Sequence, residues 1–233
     1  MIDFDRRFGP DDARLPLTDA VRRIVAELTS SSASSDEFEQ ACDLVERAAA
    51  ILEARGHARA YSGAEASLSD HQDSSFLDFS PLVGPLNPLA PPIAMHLADD
   101  GSVVGEAVFG SAYEGPPGCV HGGFVAASFD EVLGFAQSLG GHPGMTANLQ
   151  VDYRSPTPLH RPLRFVGRID HVDGRKIHTV ATLHHGDTLC AEARALFVSM
   201  KPEVFQRLMR ERRRDDPGDP ADRAASAPDA PPH

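Results

Sequence analysis

Two acidic side chains, Asp130 and Glu131, stand side by side in GGFVAASFDEVLGFAQSL, residues 122–139, a stretch otherwise made mostly of apolar and small residues. No Lys or Arg occurs from Gly101 through Tyr153. Neither carboxylate therefore has a cation nearby in sequence, and at least one must be solvated, paired at long range or perturbed. Successive helical residues point about 100° apart, so the two acids cannot both face one ligand. Asp130 shares its side with Ala126, Ala127 and Gly134, small enough to let a substrate or another chain segment approach closely. It is the better candidate for a general base or nucleophile; the alternative is an ordinary aspartate reaching water.

Just upstream lies GPPGCVHGG, residues 115–123. The pair Gly122 and Gly123 leaves backbone amides uncovered at a helix N-terminus, where the helix dipole helps them stabilise an oxyanion developing on a thioester or ester carbonyl. His121 is either a helix-entry residue making a backbone hydrogen bond or a group that positions the reactants. Cys119 has the chemistry of a thiolate nucleophile, but free cysteine more often acts as a small buried hydrophobe. Asp130 lies eight residues beyond Gly122. At 1.5 Å per residue that is about 12 Å along the axis, too far for both to touch one carbonyl. A twofold dimer whose paired helices set the N-terminus of one beside the middle of the other would solve this, giving two shared sites.

The elements that must position these groups can be read from periodicity. The segment from 122 to 139 is apolar nearly all the way round, which predicts a buried helix. Next, MTANLQVDY alternates, with Met145, Ala147, Leu149, Val151 and Tyr153 on one face and Thr146, Asn148, Gln150 and Asp152 on the other. That predicts a half-buried strand with a polar face. Three more strands are expected near 163–172, 176–184 and 189–199, joined by turns at Asp173-Gly174 and Gly186-Asp187 as antiparallel neighbours. Upstream, IAMHLA and SVVGEAVF flank Asp99-Asp100-Gly101 as a hairpin. The sum is an α+β domain: hairpin, helix, then four strands in a meander, one sheet covered by one long helix.

Nearer the N-terminus, Thr18 can cap a helix carrying Val21, Ile24, Val25 and Leu28, and SSSASS then reads as a linker. Asp36, with Glu39 three residues on, opens a second helix ending at Gly56. The stretch 57–92 suits a connector or cover. The expected organisation is a helical extension and connector over 1–80, a main domain over 81–205 and a disordered tail over 212–233, where Pro, Ala and charge dominate.

HGG with an acid nine residues after the His, followed by a strand reading MTANLQVDYRSPTPL, resembles the hotdog-fold acyl-CoA thioesterases of the phenylacetyl-CoA thioesterase-like branch, including the THEM-type enzymes. The resemblance covers roughly Pro92 to Met200. It implies a hotdog fold, a long central helix wrapped by an antiparallel sheet of about six strands, here with an N-terminal helical extension. It also implies that Asp130 activates water or attacks the thioester, that the Gly122 amide polarises the carbonyl, and that Thr146, sixteen residues after the acid, helps place the nucleophilic water. One departure stands out: some relatives carry an Asn about six residues before the motif His, and Gly115 occupies that place here.

Acids outnumber bases, 34 to 22, for a formal charge of -12, which argues against a nucleic-acid partner. Yet Arg154, Arg161, Arg164, Arg168, Arg175 and Lys176 form a local basic excess suited to the phosphates of coenzyme A. Asn148, Arg154, Arg175 and Lys176 are the candidate substrate contacts. The expectation is an acyl-CoA thioesterase that yields free acid and CoA without metal or redox cofactor, CoA being part of the substrate. A homodimer, or a tetramer of two dimers, is the expected assembly. The rival is a non-catalytic acyl-CoA or lipid-binding module; enoyl-CoA hydration is disfavoured because Phe135 stands where the His of an Asp-x4-His helix would be. His184-His185 points to opposite strand faces and predicts no metal. With no transmembrane run or signal-like N-terminus, the expected location is cytoplasmic. Three widely spaced cysteines, Cys42, Cys119 and Cys190, predict reduced thiols.

Overall fold

A computed structural model of the chain describes residues 12–54, 78–140, 144–199 and 207. The expected tail, the Gly56 cap and most of the 57–92 connector lie outside these residues. The chain divides into two compact units, residues 1–31 with 62–200 and residues 32–61 with 201–233. The second contains helix α2, Ser35–Glu53. Its cap is Ser34, two residues before the expected Asp36: Ser34 accepts the Glu37 N–H while the Glu37 side chain takes the Ser34 N–H, a reciprocal capping box.

The first unit begins with α1, Arg14–Ser30. Thr18 does not cap it. The Asp12 carboxylate accepts the Arg14 N–H at 3.0 Å, and Thr18 sits buried one turn in, its hydroxyl donating to the Arg14 carbonyl. From α1 the Arg22 guanidinium reaches segment 84–90 and donates to the carbonyls of Gly84, Pro85, Asn87 and Ala90 at 2.9–3.1 Å. Leu86 and Ala90 of that segment, and Leu82 and Val83 just before it, are buried, so 82–90 is a packed cover.

Six strands follow: β1 Ala94–Leu97, β2 Val103–Val108, β3 Gly144–Tyr153, β4 Pro162–Asp173, β5 Lys176–His185 and β6 Thr188–Ser199. Their order in the single antiparallel sheet is β1-β2-β4-β5-β6-β3. The hairpin and the β4–β5–β6 meander match the turn residues, with Gly101, Gly174 and Gly186 in the left-handed region. The expected β3–β4 pairing is absent: β3 pairs with β6 and β4 with β2. The intervening 154–161 contains Pro156 and Pro158, which lack the N–H of a ladder. This connection is tied to the entry of the long helix instead, through Val120 N–H to Thr157 O at 2.8 Å and Leu159 N–H to Gly118 O at 3.0 Å.

The long helix α3, Gly122–Ser138, lies against the sheet and buries Val125, Phe129, Val132, Leu133 and Ala136 with Phe165, Leu183, Ala193 and Phe197. Close approach depends on two sheet glycines. A Cβ on Gly167 would stand 2.9 Å from Val132 Cγ1, and one on Gly105 would stand 3.2 Å from Val132 Cγ2. Val132 thus rests in a trough that side chains would fill. The helix is apolar over most of its surface, as expected, but buries only one face; Ala126, Ala127, Asp130 and Gly134 on another are half-buried, and Phe124 in its first turn and Leu139 just past its end are exposed. Cys42 is exposed, Cys119 half-buried and Cys190 buried, all unpaired. No helix among the described residues is long and apolar enough to cross a membrane.

Candidate active site

The entry to α3 is built backwards from the helix. Tyr113 O accepts the His121 N–H at 2.8 Å and Gly115 N–H donates to Cys119 O at 2.9 Å, folding 113–121 into a tight hairpin. A Cβ on Gly115 would come within 2.7 Å of His121 Cα. Position 115, the departure noted from the sequence, therefore cannot hold a side chain in this backbone. His121 is the helix N-cap: its Nδ1 accepts the Gly123 N–H at 3.0 Å. Of the two glycine amides expected to polarise a carbonyl, that of Gly123 is thereby used. The Gly122 N–H has no hydrogen-bond partner among the described residues, and at the positive end of the helix dipole it is the donor available to an anion.

Two turns further along, Asp130 is half-buried, and the Thr146 hydroxyl donates to its Oδ1 at 2.9 Å. This contact requires a correction to the strand reading. Strict alternation puts Thr146 opposite Leu149, Val151 and Tyr153. In β3 the register slips between Thr146 and Asn148, so Thr146 pairs with buried Phe197 whereas Asn148 pairs with Leu196. This bulge at Ala147 turns Thr146 to the helix side, and Asn148 lies on the far face of the sheet from Asp130. Asp130 Oδ2 makes no hydrogen bond among the described residues, which leaves it free to take a proton.

Glu131 points elsewhere, as the 100° helical step demands. Ser80 Oγ donates to its Oε1 at 2.6 Å and itself accepts the Leu82 N–H at 3.2 Å, fastening the cover segment to α3. Burial pushes the Glu131 carboxyl above the ordinary carboxylate range; the Ser80 hydrogen bond opposes this and the neighbouring Asp130 adds to it.

The candidate cationic contacts do not converge within one chain. Arg154 Nε donates to Glu192 at 2.8 Å, with Asp152 at 3.8 Å. Arg175 Nε donates to Ser199 O at 3.0 Å, and Lys176 is exposed at the start of β5. Along β6, Tyr153 is level with Ala191 and Lys176 with Val198, a separation of about 23 Å at 3.3 Å per residue. Arg154 thus belongs to the helix-entry end of the sheet, and Arg175 and Lys176 to the opposite end. Among the described residues no group of His, Cys, Asp and Glu could hold a metal ion.

Tyr153 was missed by sequence reasoning. Its hydroxyl donates to the Gly122 carbonyl at 2.6 Å, and its ring lies where a Cβ at position 122 would stand, 3.2–3.4 Å away. Its placement on the apolar face of the strand could be read from the alternation, but a partner 31 positions earlier could not.

Residues 117–192 match the family model of the thioesterase superfamily. A stretch of 95 residues, 40% of this chain, is 37% identical to 43% of the acyl-coenzyme A thioesterase THEM4 of Xenopus laevis. The THEM4 protein of Mus musculus is 37% identical over 92 residues, 39% of this chain and 40% of the mouse protein. The chain thus matches less than half the length of these curated relatives. The crystal structure of a thioesterase superfamily protein superposes with a TM-score of 0.72 and 37% identity, over 82% of this chain and 97% of that one. A six-stranded antiparallel sheet around one long helix, together with this near-complete match to a solved member, shows that the chain belongs to the thioesterase superfamily and has its hotdog fold.

Proposed function

We propose that this protein is an acyl-CoA thioesterase that hydrolyses an acyl-CoA to the free acid and CoA, with no metal or redox cofactor. The observation that carries the reading is the Thr146–Asp130 hydrogen bond, which orients one carboxylate oxygen and leaves the other unengaged, on the same helix whose first amide is free. The THEM4 relatives, named as acyl-coenzyme A thioesterases, support the substrate class.

In this mechanism a water held by Asp130 Oδ2 and the Thr146 oxygen attacks the thioester carbonyl carbon. Asp130 takes its proton, and the Gly122 N–H receives the oxyanion, which then collapses to expel the CoA thiolate. A nucleophilic Asp130, forming an anhydride that water later opens, uses the same groups. Because about 12 Å of helix separates Gly122 from Asp130, the two act from different protomers of a homodimer. The half-buried side of α3 that carries Ala126, Ala127, Asp130 and Gly134, and the ten-residue β3 at the sheet edge, support such pairing. The same pairing would bring Arg154 of one protomer toward Arg175 and Lys176 of the other, where CoA phosphates need cations.

The test is thiol release from short, long and aromatic acyl-CoAs. Wild-type protein is expected to release CoA and the folded Asp130→Asn variant to lose turnover. Tight acyl-CoA binding without CoA release would instead identify a binding module.

A further inference from the structure

Three groups at the mouth of α3 are linked in one direction. The Tyr153 hydroxyl donates to the Gly122 carbonyl at 2.6 Å, and the other end of that same peptide, the Gly123 N–H, donates to His121 Nδ1 at 3.0 Å. Hydrogen bonds in series through a peptide polarise one another, so the phenol strengthens the bond that the imidazole accepts. A nitrogen that accepts a hydrogen bond carries no proton, and in a neutral imidazole the proton is then on Nε2. The His121 side chain is exposed, and its Nε2 has no hydrogen-bond partner among the described residues.

Resting on the hydrolase reading above, we propose that Tyr153 is a positioning residue: through the Gly122–Gly123 peptide it holds His121 in the Nε2–H form, making the imidazole a second hydrogen-bond donor beside the free Gly122 amide. The mouth of the helix then offers two donors from consecutive residues to one thioester group. This also accounts for two constraints in the backbone. The Tyr153 ring packs over Gly122, and Gly115 admits no side chain against His121, so the imidazole is held from the cap and from behind.

Tyr153→Phe keeps the ring over Gly122 and removes only the hydroxyl. The expected result is a fall in kcat of roughly threefold to tenfold, the worth of one hydrogen bond, with KM changed by less than about twofold. Nitrogen-15 NMR of the imidazole should show one tautomer, protonated at Nε2, in the wild type and a mixture of tautomers in Tyr153→Phe. A double-mutant cycle adds a readout that a merely structural role would not move: in a His121→Ala background, Tyr153→Phe should cost nothing further. Unchanged kcat and an unchanged tautomer in Tyr153→Phe, or additive losses in the cycle, would overturn the assignment. The NMR measurement needs no turnover. A wild type that cleaves no thioester would therefore sink the hydrolase reading, while the tautomer still decides whether Tyr153 acts on His121.

Discussion

Asp130, Thr146 and Glu131 divide their work according to what each touches. Asp130→Asn keeps the shape and removes the proposed base, and should lower kcat by roughly 10²–10⁴-fold in the thiol-release assay. Thr146→Val removes the hydroxyl that orients Asp130 and should cost less, about tenfold, the effect of one hydrogen bond to a charged group. Glu131 predicts a pH effect on stability and not on chemistry. Burial makes the folded chain hold this proton to a higher pH than the unfolded chain does. Its contribution to stability is therefore full below the ordinary carboxylate range and is lost as pH rises through the elevated value. Glu131→Gln, which keeps an acceptor for Ser80, should accordingly melt higher than wild type near pH 8, and the advantage should vanish near pH 4. A gap that stays constant with pH would show that Glu131 is not desolvated. Asp130 and the Gly122 amide were candidates from residue chemistry, and the spacing to Thr146 became legible through the family resemblance. The face on which Thr146 lies was not, because alternation cannot reveal a bulge that only pairing with β6 creates.

Among the elements, α3 and its cover explain why the site residues hold their places. Val132 sits on Gly105 and Gly167, so Gly167→Val should push the helix from the sheet and destabilise the fold by about 1–3 kcal/mol. Chemical denaturation measures this directly, and an unaltered midpoint would show that the trough is not needed. Arg22 satisfies four carbonyls of the 84–90 segment, whose neighbour Ser80 holds Glu131. Arg22→Ala should loosen this cover at a cost of about 1.5–3 kcal/mol, read as faster hydrogen exchange in 84–90 before that of the sheet core. The helices, the hairpin and the last three strands were readable because their signals are local: period, turn glycines and length. The position of β3 at the far edge was not, because it depends on where the proline-containing connection is fastened, a contact with the helix entry some forty residues upstream. The same applies to Thr18, which lies inside α1 beyond a first turn whose Arg14 N–H is taken by Asp12.

As a whole, the molecule keeps the two groups of the proposed mechanism, the Gly122 N–H and the Asp130 carboxylate, at separate places on one helix. The dimer expected from helix geometry alone remains the simplest way to unite them, and the half-buried side of α3 with Ala126, Ala127 and Gly134 is small enough for a partner helix to approach closely. The cationic residues, divided between the two ends of the sheet, call for the same solution. A mixing experiment tests this most directly. Gly122→Pro deletes the free N–H in a backbone that accepts proline, since His121 already has the extended conformation, φ −58° and ψ 131°, that a residue before proline adopts and proline is favoured at the first helical position; the Tyr153 side chain, 3.2–3.4 Å from the added Cβ, must shift by a few tenths of an ångström. Asp130→Asn deletes the base. Each variant alone should be inactive, while co-expression of the two in equal amounts should restore about a quarter of wild-type turnover, because half the dimers contain one intact composite site. Co-expressed chains that assemble into mixed dimers yet release no CoA would contradict a site built from two protomers.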